Sequence, residues 1–188
     1  MKAVLEPAEE LLQECRAGNQ LAFKELFHMF KSYAYNLIYK ITGNKGDHED
    51  LLQETFFQTY VSLKTFNGDS SFKTWFHRLI IHVCTRQWRY QKAEKRISAK
   101  DTVAMEDVEF LLTSKEPHFE KQMELKDLID RSLDQLDHKL RIPLILSVYS
   151  EMDLAEIGAI MGIPEGTVKS RLFSARKKIR DYLDKLET

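Results

Sequence analysis

Apolar residues recur along most of this chain at spacings of three and four, the period of an amphipathic helix. A short helix is predicted from Ala8 to Arg16, stopped by Gly18. Asn19, a good N-cap, opens a long pattern in which Phe23, Leu26, Phe27, Phe30, Ala34, Leu37, Ile38 and Ile41 share one face. Gly43 and Gly46 end it. The next helix runs from about Asp47 to Thr65. Leu52, Phe56, Thr59 and Leu63 fall on its core side, while Asp50, Gln53, Glu54 and Phe57 form an acidic strip with an exposed phenylalanine. Asn67-Gly68-Asp69-Ser70-Ser71 is a turn by composition, and its serines can cap the helix that comes after it. That helix carries Phe72, Trp75, Phe76, Leu79, Ile80 and Val83 on one side. Arg78, Ile81, His82, Thr85, Arg89 and Lys92 lie on the other.

From Ala93 to His118 the periodicity weakens, which reads as a linker with one short helix. A second helical block then fills Phe119–Leu136, His138–Ser150, Asp153–Met161 and Glu165–Leu186. The expected fold is all-α, with two helical domains at 1–95 and 119–188 joined by a linker at 96–118. Seven glycines and four prolines in 188 residues leave too few turns for a β-sandwich or barrel, and 43% hydrophobic residues exclude disorder throughout.

Net charge is -1, from 28 basic and 29 acidic residues, so the total names no partner. The distribution does. Phe72 to Lys100 holds eight basic residues against Glu94 alone, and Gly166 to Arg180 holds six and no acid. Between them, Asp101 to Glu120 carries six acids against Lys115. Two basic blocks with an acidic spacer point to two contacts with a polyanion. The opening MKAVLEPAEE lacks the apolar stretch of a signal peptide, and no run reaches the eighteen or so apolar residues that span a bilayer, so no membrane insertion is expected and the expected location is cytoplasmic. Cys15 and Cys84 form no metal-spaced pair and are expected to be buried, and six scattered histidines fall in no ligand spacing. Neither a metal nor a cofactor is expected.

The most specific signal is DLAEIGAIMGIPEGTVKSRLFSARKKIR, Asp153 to Arg180. Asp153 and Glu156 make a capping-box-like start; Leu154, Ile157 and Met161 give an apolar face; Gly162 stops the helix. After Ile163-Pro164-Glu165-Gly166 a second apolar face begins: Val168, Leu172, Ala175, Ile179. This is a helix-turn-helix, whose second helix can enter a DNA major groove. Its opposite face offers Lys169, Ser170, Phe173, Ser174 and Lys177 to base edges and phosphate, with Arg171 and Arg176 flanking as phosphate clamps.

The segment EIGAIMGIPEGTVKSRLFSARKKI resembles region 4 of bacterial extracytoplasmic-function sigma factors. DHEDLLQETF at Asp47–Phe56, followed by FNGDSSFKTWFHRLI at Phe66–Ile80, resembles their region 2. Together the likeness covers about residues 8 to 186. It implies a dissociable transcription initiation factor that binds core RNA polymerase, directs it to promoters and helps melt them, with no catalytic activity of its own. By the same resemblance, Asp50, Gln53, Glu54 and Phe57 dock on the clamp helices of the polymerase. Asn67, Gly68, Asp69, Ser70 and Ser71 receive a base flipped from the minus-ten element, and Arg78, His82, Arg89 and Lys92 hold the duplex and the separating strand. Lys169, Ser170, Arg171, Phe173, Ser174, Arg176 and Lys177 read the minus-35 element. The helices before them meet the flap tip, and an anti-sigma factor clamps the two domains. Four positions depart from the family pattern: His82 for asparagine, Arg86 for aspartate, Ser174 for arginine and Gly158 for alanine.

Two other readings compete. A DNA-binding regulator would need no polymerase, and Asp50, Gln53 and Glu54 would be dispensable to it. A helical interaction protein would show no salt-dependent DNA binding. Phe72, Trp75 and Phe76 are expected in the core, Trp88 suits core or DNA equally, and His77 and His82 are expected to be ordinary surface or hydrogen-bonded histidines. Asp50 and Glu54 have no nucleophile or metal spacing beside them that would make an enzyme.

Overall fold

The computed structural model describes residues 6–43, 47–98 and 117–186, with side chains described at all of these except 91–98 and 117–124. Helices α1 (Glu9–Arg16), α2 (Gln20–Thr42), α3 (His48–Ser62) and α4 (Phe72–Ser98) form the first unit; α5 (Pro117–Asp134), α6 (His138–Val148), α7 (Leu154–Met161) and α8 (Glu165–Asp184) form the second. Among the described residues there is no strand.

The predicted faces account for the packing. Leu26, Phe30, Ala34, Leu37, Ile38 and Ile41 of α2 are fully buried, and Phe30 meets Phe72 and Phe76 of α4 edge-on at 5.1 and 5.4 Å. Each ring removed from water contributes roughly 2–3 kcal/mol, so this cluster is the thermodynamic centre of the first unit. Asn19 caps α2 by accepting from the amides of Leu21 and Ala22, and Asp47 caps α3 through the amide of Asp50. A 3-10 turn, Leu63–Thr65, finishes α3.

In the second unit α6 is central, with residues 141–146 all buried. The capping box of α7 is complete: Asp153 accepts from the Glu156 amide at 2.8 Å while Glu156 accepts from the Asp153 amide at 3.0 Å. Gly162 ends α7 in the left-handed conformation at φ 65°, and Pro164 leads into α8. Gly158 lets the turn close, since a Cβ there would meet the Ile163 carbonyl oxygen at 2.8 Å.

Three details differ from the sequence reading. The α4 backbone stays helical to Ser98 and α5 begins at Pro117, so both helices extend into the segment read as linker; residues 99–116, with their predicted short helix, lie outside the described residues. Ile81, assigned to the basic side of its helix, is buried at 9% exposure because the second unit packs there, α7 lying against α4. Helix α6 ends at Val148 rather than Ser150, because Glu151 reverses the chain at φ 54°. Cys15 and Cys84 are buried free thiols; burial pushes Cys84 up to about 12. Phe72 and Phe76 are core, Trp75 is half-buried, and Trp88 packs on His138 with ring centroids 5.2 Å apart.

Candidate nucleic-acid interface

The acidic strip lies where helical periodicity puts it. Asp50 and Gln53 are exposed, Phe57 keeps 60% of its surface in water, and Glu54 is half-buried. The strip lines a groove of about 570 Å³ whose other wall is α4, through Val83, Arg86 and Gln87. Arg86 reaches across to Glu54, and Gln58 donates to the same carboxylate at 3.0 Å. Those two bonds, the Arg86 one first, hold Glu54 below the usual carboxylate range.

The turn Asn67–Ser71 is organised by its own side chains. Asn67 donates to Asp69 at 2.6 Å and accepts from the Asp69 amide, and Gly68 takes φ 84°, which a side chain would resist. Ser71 caps α4 by accepting from the Thr74 amide at 3.1 Å. A second cap comes from a distant residue: Glu6 accepts from the amides of Phe72 at 2.7 Å and Lys73 at 3.3 Å. No sequence signal marks a cap 66 residues away. The turn thus presents exposed polar atoms on a pinned frame, with Ser70 half-buried.

Along α4, Arg78, His82 and Arg89 are exposed, and the side chain of Lys92 lies outside the described residues. On α8, Lys169, Ser170, Phe173, Ser174, Arg176 and Lys177 are exposed, Phe173 at 71%, while Arg171 is half-buried. Ser170 donates its hydroxyl to the Thr167 carbonyl at 2.9 Å, so toward a ligand it is oriented as an acceptor. An exposed phenylalanine between lysines, on a helix anchored by buried Val168, Leu172 and Ala175, is a surface shaped to meet apolar and anionic groups together. The two basic surfaces are neighbours: Arg78 and His82 share a cleft with Ile160, Met161 and Arg171 of the second unit.

His77 is the ionisable group that the sequence left as an ordinary histidine, and it is hydrogen-bonded in the core. It is fully buried, bonded to Tyr33 Oη at 2.8 Å, Ser150 Oγ at 3.0 Å and the Lys73 carbonyl at 2.6 Å. Burial lowers it to about 4. The described residues contain no cluster of three or more candidate metal ligands, and no helix among them is long and apolar enough to cross a membrane.

Residues 26–94 match sigma-70 region 2 and residues 126–179 match sigma-70 region 4, together more than half of the chain. The ECF RNA polymerase sigma factor SigW of Bacillus subtilis is 28% identical over 187 residues, covering 92% of this chain and 94% of that one. The ECF RNA polymerase sigma-E factor of Escherichia coli K12 is 29% identical over 180 residues, covering 94% of each. Among solved structures, the sigma factor RpoE of Bartonella quintana, in complex with the anti-sigma factor NepR, shares the fold with a TM-score of 0.66 at 21% identity, over 86% of this chain and 96% of that one. CnrH, in complex with the cytosolic domain of CnrY, does so with a TM-score of 0.63 at 21% identity, over 93% and 96%.

Proposed function

The chain belongs to the sigma-70 family, in its extracytoplasmic-function branch, and we propose from that premise how its surfaces divide the work of starting transcription. It is an initiation factor and not an enzyme: it binds core RNA polymerase, directs it to particular promoters and helps melt them, under the control of an anti-sigma factor. It does so in the cytoplasm, where polymerase and chromosome meet.

The division places residues 1–95 as the polymerase-docking and minus-ten unit and 119–188 as the minus-35 unit. Asp50, Gln53, Glu54 and Phe57 dock on the clamp helices, the apolar ring giving area and the carboxylates giving charge complementarity to a basic partner. The turn Asn67–Ser71 takes a flipped base. Extrusion costs a few kcal/mol of stacking, which the exposed amide, carboxylate and hydroxyls of that turn offset by hydrogen bonding. Arg78, His82, Arg89 and Lys92 hold the phosphates of the separating strand. Lys169, Ser170, Phe173 and Ser174 face base edges of the minus-35 element, with Arg171, Arg176 and Lys177 on phosphates.

The observation that carries this reading is the exposed basic and aromatic face of α8, held out by a complete capping box and a glycine turn, in a chain that also presents the acidic strip of α3. Run-off transcription tests it, using purified core RNA polymerase and pooled genomic promoter fragments with and without the protein. Transcripts that appear only on its addition establish the activity, and their aligned upstream sequences give the two elements. DNA binding without polymerase and without such transcripts would replace the reading with that of a regulator.

A further inference from the structure

The two units are joined by polar groups whose burial only their contact explains. Ser150, just after α6, is 4% exposed, and its hydroxyl reaches across the units, 3.1 Å from Tyr33 Oη on α2 and 3.0 Å from His77 Nε2 on α4. The Lys73 carbonyl can only accept, so His77 carries its proton on Nδ1 and receives Ser150 or Tyr33 at Nε2. Lys73 adds an ammonium donor to the Ser150 carbonyl at 3.3 Å. A second contact lies at the far end of α2. Arg141 of α6, 5% exposed, donates to the Lys40 carbonyl at 2.7 Å and to Asp134 at 2.7 Å. Gly43 makes room for it: a Cβ there would meet Asp134 Oδ1 at 2.6 Å. With the units apart, the bonds of Ser150 to Tyr33 and His77, of Lys73 to the Ser150 carbonyl and of Arg141 to the Lys40 carbonyl would give way to water.

This arrangement cannot read a promoter. Elements centred at minus-ten and minus-35 are about 25 base pairs, or roughly 85 Å, apart along B-form DNA. A compact chain of 188 residues has a radius of gyration of only about 16 Å. Arg78 and His82 also share their cleft with Arg171, so the two DNA-facing surfaces crowd one another.

We propose that Ser150, His77 and Tyr33 form a latch that holds the free chain closed and inactive, and that engaging polymerase requires the latch to break. The inference rests on the promoter-reading function above and adds its regulation. Polar contacts suit such a role, because water can replace each hydrogen bond on opening. A chain that is mostly closed binds polymerase more weakly by the fraction that is open.

Small-angle scattering of the full chain and its affinity for core polymerase test the latch separately from the function. Wild type is expected near the compact radius. Ser150→Leu, which puts a larger apolar side chain into the buried site between the units and removes the hydroxyl, is expected to expand by several ångströms and to bind polymerase at least about fivefold tighter. Tyr33→Phe removes a single hydroxyl and is expected to move both readouts the same way by about twofold in affinity; it decides the matter should Ser150→Leu lose helical ellipticity. An extended wild type, or compact variants, overturns the latch. Expansion with unchanged polymerase affinity overturns its regulatory role. Polymerase binding by neither form overturns the sigma-factor reading instead, while scattering still reports the contact.

Discussion

The guanidinium of Arg86 on α4 lies 2.5 Å from the carboxylate of Glu54 on α3, placing a cation inside the acidic strip. Both side chains stay partly in water, 42% and 33% exposed, so the pair contributes only about 0.5 kcal/mol to stability. Arg86→Ala is therefore expected to lower the melting temperature by about 1–2 °C, measured by circular dichroism. Because Glu54 is held below its ordinary range, this small contribution is present above the ordinary carboxylate pKa and is lost as pH falls through the lowered one. Reversing Asp50 and Glu54 to lysine is expected to weaken polymerase binding at least about tenfold while α8 still binds duplex. Unchanged holoenzyme formation would remove the docking role from this strip.

The histidine at the unit interface predicts a response to acid. His77 sits at about 4 against an ordinary 6.5, so the neutral ring is favoured in the closed form. An open or unfolded chain takes up the proton first as pH falls below 6.5. Closed-state stability is thus full above 6.5 and declines until about 4, by about 3 kcal/mol in all. The other groups facing the ring are Tyr33, pushed up to about 12 by burial, Ser150 and Lys73, and Tyr149, also raised by burial, stacks on Tyr33 behind them. The tyrosines stay protonated across this window. Scattering followed from about pH 7.5 to about pH 5 is expected to show progressive expansion, and His77→Gln is expected to flatten the profile. An equally steep profile in that variant assigns the acid response elsewhere.

The roles we propose for the exposed face of α8 divide base reading from phosphate holding. Lys169→Ala and Phe173→Ala are expected to weaken binding to a minus-35 duplex about 5- to 150-fold and to relax its sequence preference, the effect of losing one good base contact at roughly 1–3 kcal/mol. Lys177→Ala is expected to weaken all duplexes alike and to reduce the slope of log affinity against log salt by about 1. Titrations of labelled duplexes between about 50 and 200 mM salt distinguish the two patterns.

Helical faces and caps were legible in the sequence because each is fixed within one or two turns. Asn19, Asp47, Asp153 with Glu156, and Gly162 all stand where local spacing placed them. The exposure of Phe57 and Phe173 followed from the same periodicity. Contacts between helices far apart in the chain were not legible, because no local spacing marks them. Ile81 went to the wrong side for that reason, and nothing local ties Ser150 to Tyr33 or Arg86 to Glu54. One hint was present. Arg141 interrupts the apolar run of α6, and a charge in such a run is tolerated only when paired, as it is with Asp134 and the Lys40 carbonyl.

The carboxylate of Glu6 makes a last prediction, since it ties the segment before α1 to the end of the loop that we propose takes the flipped base. An α-helix leaves its first amides without partners, and Glu6 accepts two of them, from Phe72 and Lys73, while Ser71 serves a third at Thr74. A negative charge at that end also complements the helix dipole. Glu6→Ala removes both effects, for a cost of about 1–2 kcal/mol and a melting temperature lower by about 2–8 °C. The fraying falls next to Asn67–Ser71, so melting of the minus-ten region should suffer more than binding at minus-35. Permanganate reactivity of unpaired thymines in the polymerase–promoter complex reads the first, and duplex affinity reads the second. Glu6→Gln keeps an acceptor without the charge and is expected to fall between. Equal loss in both assays would show that Glu6 acts on the stability of the whole chain and not through the start of α4.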